Sequence, residues 1–177
     1  ATGGTIVSTL ADMEGEESGD DEDALFEATS CILDPVSDGT WGLGRITNRH
    51  LEDSDTYYFK FNDGENTNVY VLDTGIRLDH NEFDDRALPG YDAFGKNNPV
   101  DGHGHGTHVA GTIAGKTYGV ARRATLYAVK VLNATGYGTT STVIDGLNWV
   151  HDHHHDESIT NPNVKGIVNM SLSGSAT

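Results

Sequence analysis

Asp101-Gly-His-Gly-His-Gly-Thr-His-Val-Ala-Gly-Thr112 interleaves glycines with three histidines and runs into a segment of small residues. A histidine in a glycine-rich turn just ahead of a helix is held by backbone and keeps an open face, which suits an acid–base group. Upstream lies Val69-Tyr-Val-Leu-Asp-Thr-Gly-Ile76, an apolar run that stops at a carboxylate and turns at glycine. Its aromatic and β-branched residues, with little polar alternation, predict a strand buried on both faces of a parallel sheet. The two stretches together predict Asp73 at a strand end and His105 at a helix start, side by side.

Working outward, Gly106 to Ala114 reads as a helix of small residues that needs tertiary support. Thr125 to Leu132 is the clearest strand, and Leu88 to Phe94 a second, shorter one. Thr139 to Asp152 carries Val143, Ile144, Leu147 and Val150 at helical spacing, with Thr139, Thr140 or Ser141 as its cap. Lys165 to Leu172 reads as a third buried strand. Asp79 to Phe83 begins a loop, Tyr57 to Phe61 suits an edge strand, and Trp41 to Ile46 is an apolar patch with no period. Strands alternating with helices predict an α/β fold, three layers around a central parallel sheet with right-handed crossovers.

The 177 residues, 36% hydrophobic with 22 glycines, suit one domain with a real core. A net charge of −16 excludes a phosphate-binding surface, so no nucleic acid is expected as partner. No apolar run approaches the roughly 18 residues of a membrane span, and the N-terminus does not read as a signal peptide. Cys31 is the only cysteine, so no internal disulfide is expected. Glu14 to Asp23 is dense in acid, which marks residues 1–40 as a solvated, disordered segment or propeptide remnant ahead of a domain at 41–177.

An aspartate bound to one imidazole nitrogen fixes the tautomer and supports the imidazolium, leaving the other nitrogen as a general base. Val71-Leu-Asp-Thr-Gly-Ile76 and His105-Gly-Thr-His-Val-Ala-Gly-Thr112 resemble the Asp and His signatures of the subtilisin-like serine peptidases, in the proteinase K-like branch. Trp41 to Ile46, Asp79 to Phe83, Lys116 to Val120, Val129 to Leu132 and Asn169 to Leu172 extend the resemblance in the same order. It implies a subtilisin-like fold and peptide-bond hydrolysis by an Asp-His-Ser triad, with Asp73 the orienting acid, His105 the general base and His108 structural. It also implies one substrate wall at Leu132, Asn133, Ala134 and Gly136, and a second at Ser171, Leu172, Ser173 and Gly174, pairing with peptide backbone. The implied partners are a polypeptide substrate, a propeptide or a protease inhibitor, with no membrane. No metal ligand is assigned and no cofactor is implied beyond calcium, for which the sequence marks no site. The implied compartment is extracellular, vacuolar or lysosomal.

The nucleophilic serine and the oxyanion asparagine of the family have no counterpart in these 177 residues. Ser171 and Ser173 match wall positions instead. The expectation is an N-terminal portion of such a peptidase, incomplete at the C-terminus and inactive alone. Ser173 replaces a wall glycine, a conflict if that site needs positive φ. His103 replaces the usual asparagine, and Gly102 and Ala134 stand where some relatives carry a disulfide. Two alternatives remain at this point. His103, His105 and His108 have the spacing of a zinc metallohydrolase, although Thr107 stands where that site expects an aspartate. A non-catalytic binding or decoy paralogue would keep the walls without the chemistry. His151 to His155 reads as a helix end suited to the negative pole of the dipole, and Asn133-Ala-Thr135 as a glycosylation sequon in a loop.

Overall fold

The computed structural model describes residues 31–35, 41–50, 56–60 and 63–174. Contacts divide the chain into two units, residues 1–62 and residues 63–177. In the first, β1 (Cys31–Pro35) pairs antiparallel with β2 (Thr56–Lys60), Cys31 opposite Lys60. Cys31–Pro35 falls inside the segment expected to lack order, whereas Glu14 to Asp23 lies outside the described residues. Trp41–Thr47, read above as a patch without a period, forms α1 and buries Leu43 and Gly44. Asn48 closes it: its Nδ2 donates to the carbonyls of Gly44 at 2.9 Å and Thr56 at 2.7 Å, tying the helix end to β2.

The second unit carries a four-stranded, all-parallel sheet in the order β4-β5-β3-β6. Its strands are β3 (Thr67–Asp73), β4 (Ala87–Asp92), β5 (Thr125–Lys130) and β6 (Lys165–Asn169). The helices are α2 (His105–Ala114) and α3 (Thr140–Thr160). Side chains alternate across a strand, and that alternation sorts the core into two layers. Val69 and Val71 of β3, opposite Leu126 and Ala128 of β5, pack with Ala110 and Ala114 of α2. Tyr70 and Leu72, opposite Tyr127 and Val129, pack with Val150 of α3. Asp73 has the parity of Val69 and Val71, so its carboxylate emerges on the α2 face. On α2, Gly106, Ala110 and Ala114 are the buried positions, four residues apart, so the helix presents a stripe of small residues to the sheet.

Thr139 caps α3 in a reciprocal capping box with Thr142, with bonds of 3.2 and 2.9 Å. The helix is held close to the sheet at Gly146, where a Cβ would lie 2.6 Å from Val131 Cγ1.

Two expectations are corrected. The helix read as ending at Asp152 continues to Thr160, so His151 to His155 sit within it and not at its negative pole. This last stretch is polar and shows no apolar stripe, so periodicity alone stopped too early. Second, Lys165–Asn169 is not buried: Ile167 and Val168 are 53% and 40% exposed. Its apolar composition suits a central strand, but among the described residues β6 pairs with β3 alone and so forms an edge.

One histidine of the α3 cluster, the half-buried His153, packs against the core. The fully buried Tyr70 bonds through its hydroxyl to His153 Nδ1 at 3.0 Å. His153 stacks on Trp149 and meets Tyr127 edge-on, each with ring centroids 4.6 Å apart. Burial pushes the Tyr70 phenol up to about 12, so the phenol donates and the imidazole accepts. Burial lowers His153 from its ordinary value, against the opposing pull of Glu157 and Asp156. The unfolded chain therefore takes up this proton more readily than the fold does. The neutral ring's contribution is complete above about pH 6.5 and decays as pH falls through the folded-state value. His153→Gln is expected to flatten the loss of stability between about pH 7 and pH 5, measured by urea unfolding. An unchanged slope would contradict the assignment.

Candidate active site

Two segments are zipped together to make the site. Asp73 closes β3, and the chain turns at Gly75, whose φ is +103° and whose Cβ would lie 2.2 Å from the Pro99 carbonyl oxygen. Only glycine fits there. Ile76 N–H donates to Pro99 O at 3.1 Å, which lays residues 99–105 along the end of β3. His105 then opens α2, its Nδ1 2.8 and 2.9 Å from the two Asp73 oxygens. Thr74 N–H donates to Asp73 Oδ1 at 2.7 Å. Asp73 is fully buried, while the His105 side chain is 45% exposed. A buried carboxylate on one nitrogen and an open ring on the other side is the arrangement a general base needs.

The start of α2 explains why the ring is held. Gly104 at the cap has φ 105° and offers no side-chain cap. The free N–H groups of the first turn are met from outside the helix. His105 N–H donates to His103 Nδ1 at 3.3 Å, Gly106 N–H to Thr74 Oγ1 at 3.0 Å, and Thr107 N–H to Asp101 Oδ2 at 2.9 Å.

Asp101 gathers the loop. It accepts from His103 N–H, Gly104 N–H, Thr107 N–H, the Thr107 hydroxyl and the Thr74 hydroxyl, at 2.6–2.9 Å. Thr74 thus bonds both aspartates and the helix start. Burial alone would raise the Asp101 carboxyl, but the Gly104 N–H, the Thr107 hydroxyl and the His103 and Thr107 N–H groups outweigh it and hold it well below the usual carboxylate range. Its stabilising contribution is complete above the unfolded value near 3.9 and is lost as pH falls through the folded-state value. Asp101→Asn is expected to cost about 2 kcal/mol near neutral pH and to reduce the acid sensitivity below about pH 4, measured by denaturant titrations across pH. A variant as stable and as acid-sensitive as the wild type would contradict this. The sequence alone gave Asp101 no role. An Asp-Gly turn whose carboxylate can accept from the residues that follow is the signal that was present.

The proposed walls begin at the same point. Val131 N–H and Leu132 N–H both donate to the Asp73 carbonyl at 3.0 Å, so the chain leaves β5 anchored behind the acid. Asn133 Oδ1 accepts from Thr135 N–H, the Thr135 hydroxyl and Tyr137 N–H, closing the loop through Gly136, whose φ is +79°. A Cβ on Gly136 would lie 3.4 Å from His103 Nε2. Ala134 is exposed, and a Cβ on Gly102 would lie 3.1 Å from Ala134 Cβ, so these two positions are neighbours. Ser171, Ser173 and Gly174 follow β6 as exposed, irregular chain, and Leu172 packs on the Tyr70–Leu72 cluster. Ser173 is not among the residues with positive φ, which removes the conflict raised by a serine at that position.

Ser171 Oγ donates to Asn169 Oδ1 at 3.2 Å, and no hydroxyl among the described residues bonds His105. The zinc alternative finds no support. His105 Nδ1 is engaged by Asp73 and His103 Nδ1 by a backbone amide, and among the described residues no group of three or more His, Cys, Asp or Glu could hold a metal ion. His108 is exposed on α2.

Comparison with known proteins gives these positions a context. The cuticle-degrading serine protease of Arthrobotrys oligospora is 46% identical over 78% of this chain and 34% of its own length. Alkaline protease 1 of Aspergillus flavus is 46% identical over 85% of this chain and 34% of its own length. The crystal structure of a cold adapted subtilisin-like serine proteinase superposes with a TM-score of 0.67 at 41% identity, covering 77% of this chain and 47% of that one. The chain thus spans about a third of the length of the relatives it matches. The family model described as the Subtilase family matches residues 64–177, which take in the whole sheet together with Asp73 and His105. On that match, the chain belongs to the subtilase family.

Proposed function

We propose that this chain supplies the acid–base half of a serine endopeptidase. The observation that carries the reading is the bond from a half-exposed imidazole to a fully buried carboxylate. His105 Nε2 accepts the proton of a serine hydroxyl as that oxygen attacks a peptide carbonyl. Asp73 holds Nδ1–H and stabilises the imidazolium. The same imidazolium then protonates the leaving amine, and water hydrolyses the acyl-serine by the reverse sequence of proton transfers. The serine comes from polypeptide outside these 177 residues. So does the oxyanion donor, whose loss alone costs roughly 3 kcal/mol of barrier.

An extended polypeptide lies between Leu132–Gly136 and Ser171–Gly174 and pairs with them through backbone, so side-chain selectivity is broad. An inhibitor or propeptide strand uses the same walls. The chemistry requires no cofactor. The Arthrobotrys relative is named for degrading cuticle, and we extend work outside the cell to this chain. No helix among the described residues is long and apolar enough to cross a membrane.

The test is turnover of a fluorogenic peptide. The 177-residue chain is expected to show none by itself. Polypeptide joining these residues to a family serine segment is expected to hydrolyse the peptide in a His105-dependent manner. Steady turnover by the sequence-verified 177-residue chain would overturn the assignment of the serine. A non-catalytic binding role is favoured only if the joined form binds peptide and never cleaves it.

A further inference from the structure

Three strands of the sheet end level with one another in charged residues. β4 ends at Asp92, β5 at Lys130 and β3 at Asp73. Lys130 is the register partner of both aspartates, so the row reads negative, positive, negative on the face that carries α2. Asp92 is buried and accepts from Phe94 N–H at 2.9 Å and Asn98 N–H at 3.3 Å. The Lys130 ammonium is directed to the other neighbour, where it donates to the carbonyl of Thr74. Thr74 is the residue whose N–H bonds Asp73 and whose hydroxyl bonds Asp101 and receives Gly106 N–H.

We propose that Lys130 is a positioning residue for the Asp73–His105 pair: its ammonium clamps the carbonyl of Thr74, the residue that bonds both site aspartates, and sets a positive charge in the row between Asp73 and Asp92. The proposal rests on the acid–base reading above. An ammonium taken half out of water is costly unless it is paired, and a purely structural contact at this place could be made by an uncharged chain. Burial lowers the Lys130 ammonium from its ordinary value and Lys96 adds to this, while Asp101, Asp92 and Asp73 pull it back up.

The test uses proton NMR of the full 177-residue chain, reading the low-field His105 Nδ1–H resonance, which an imidazole N–H acquires when it donates to a carboxylate. Asp73→Asn assigns the signal by abolishing it. Lys130→Met is expected to keep the fold, by circular dichroism, and to lose or displace the resonance. Lys130→Arg is expected to restore it, because the fork can still reach the Thr74 carbonyl with its charge. A folded Lys130→Met with the wild-type resonance would overturn the proposal. Should Lys130→Met not fold, Lys130→Gln decides: it keeps a donor without the charge, and a wild-type resonance in it overturns the charge role, while a displaced one supports it. A wild-type chain with no such resonance would overturn the pairing and the proposal with it. Failure of the form joined to a family serine segment to hydrolyse peptide, with the resonance intact, would count against the peptidase reading alone.

Discussion

Gly106→Ala is expected to lower the thermal midpoint of the sheet unit by about 10 °C, the equivalent of about 3 kcal/mol. A Cβ at Gly106 would lie 2.2 Å from the carbonyl oxygen of Gly75 and 3.1 Å from Asp73 Cβ and Oδ1. The first contact is with backbone and cannot be relieved by turning a side chain. Nor can Gly75 retreat, since its own Cβ position lies 2.2 Å from the Pro99 oxygen. The start of α2 must then lift away from β3, which stretches the bonds from His105 to Asp73 and from Gly106 N–H to Thr74 at once. Thermal unfolding followed by circular dichroism measures the first effect. Loss of the His105 Nδ1–H resonance measures the second. A variant with wild-type stability would mean that α2 does not sit this close to the strand end.

The largest effects on activity are expected at the pair itself, in polypeptide that includes the serine segment. His105→Ala removes the group that takes and returns the proton, and Asp73→Asn removes the group that sets its tautomer. In a subtilisin, a family relative and the reference case from which these sizes are taken, loss of the histidine costs roughly a million-fold in kcat and loss of the aspartate about 30,000-fold. The geometry here says why the amide should fail despite its matching shape. Thr74 N–H already faces one oxygen of Asp73, so in Asp73→Asn the amide oxygen stays there and the NH2 turns to His105 Nδ1. That nitrogen must then accept, and the proton moves to Nε2, the atom that has to be free. Asp73→Asn should therefore lose kcat with little change in KM and about 1 kcal/mol or less in stability. Equal loss from an alanine introduced at an exposed position remote from the pair, such as Thr160, would contradict it.

Much of this was legible because buried parallel strands announce themselves. The unbroken apolar runs at Val69–Leu72 and Leu126–Val129 mark β3 and β5, and the side-chain alternation along β3 puts Asp73 on the same face as α2. The small residues at Gly106, Ala110 and Ala114 marked the closely packed helix. Other features depend on long-range partners that no local pattern contains. Asp101 meets the Thr74 hydroxyl from 27 residues away, and Lys130 reaches the Thr74 carbonyl from 56. Helix α1 escaped because Gly42 and Gly44 interrupt its pattern while Asn48 closes it through Thr56. The end of α3 escaped because His151 to Thr160 is polar on nearly every side. The edge position of β6 is a property of sheet order, and its composition matches that of a central strand.

The most direct test of the central claim is labelling with a fluorophosphonate, which reacts with a serine activated by a neighbouring imidazole, followed by mass spectrometry to locate the adduct. The account predicts no adduct on Ser171 or Ser173 of the 177-residue chain. In polypeptide that joins these residues to a family serine segment, it predicts one adduct in that segment, abolished by His105→Ala and reduced by Asp73→Asn. An adduct on Ser171 or Ser173, or one in the joined form that forms equally well without His105, would contradict it.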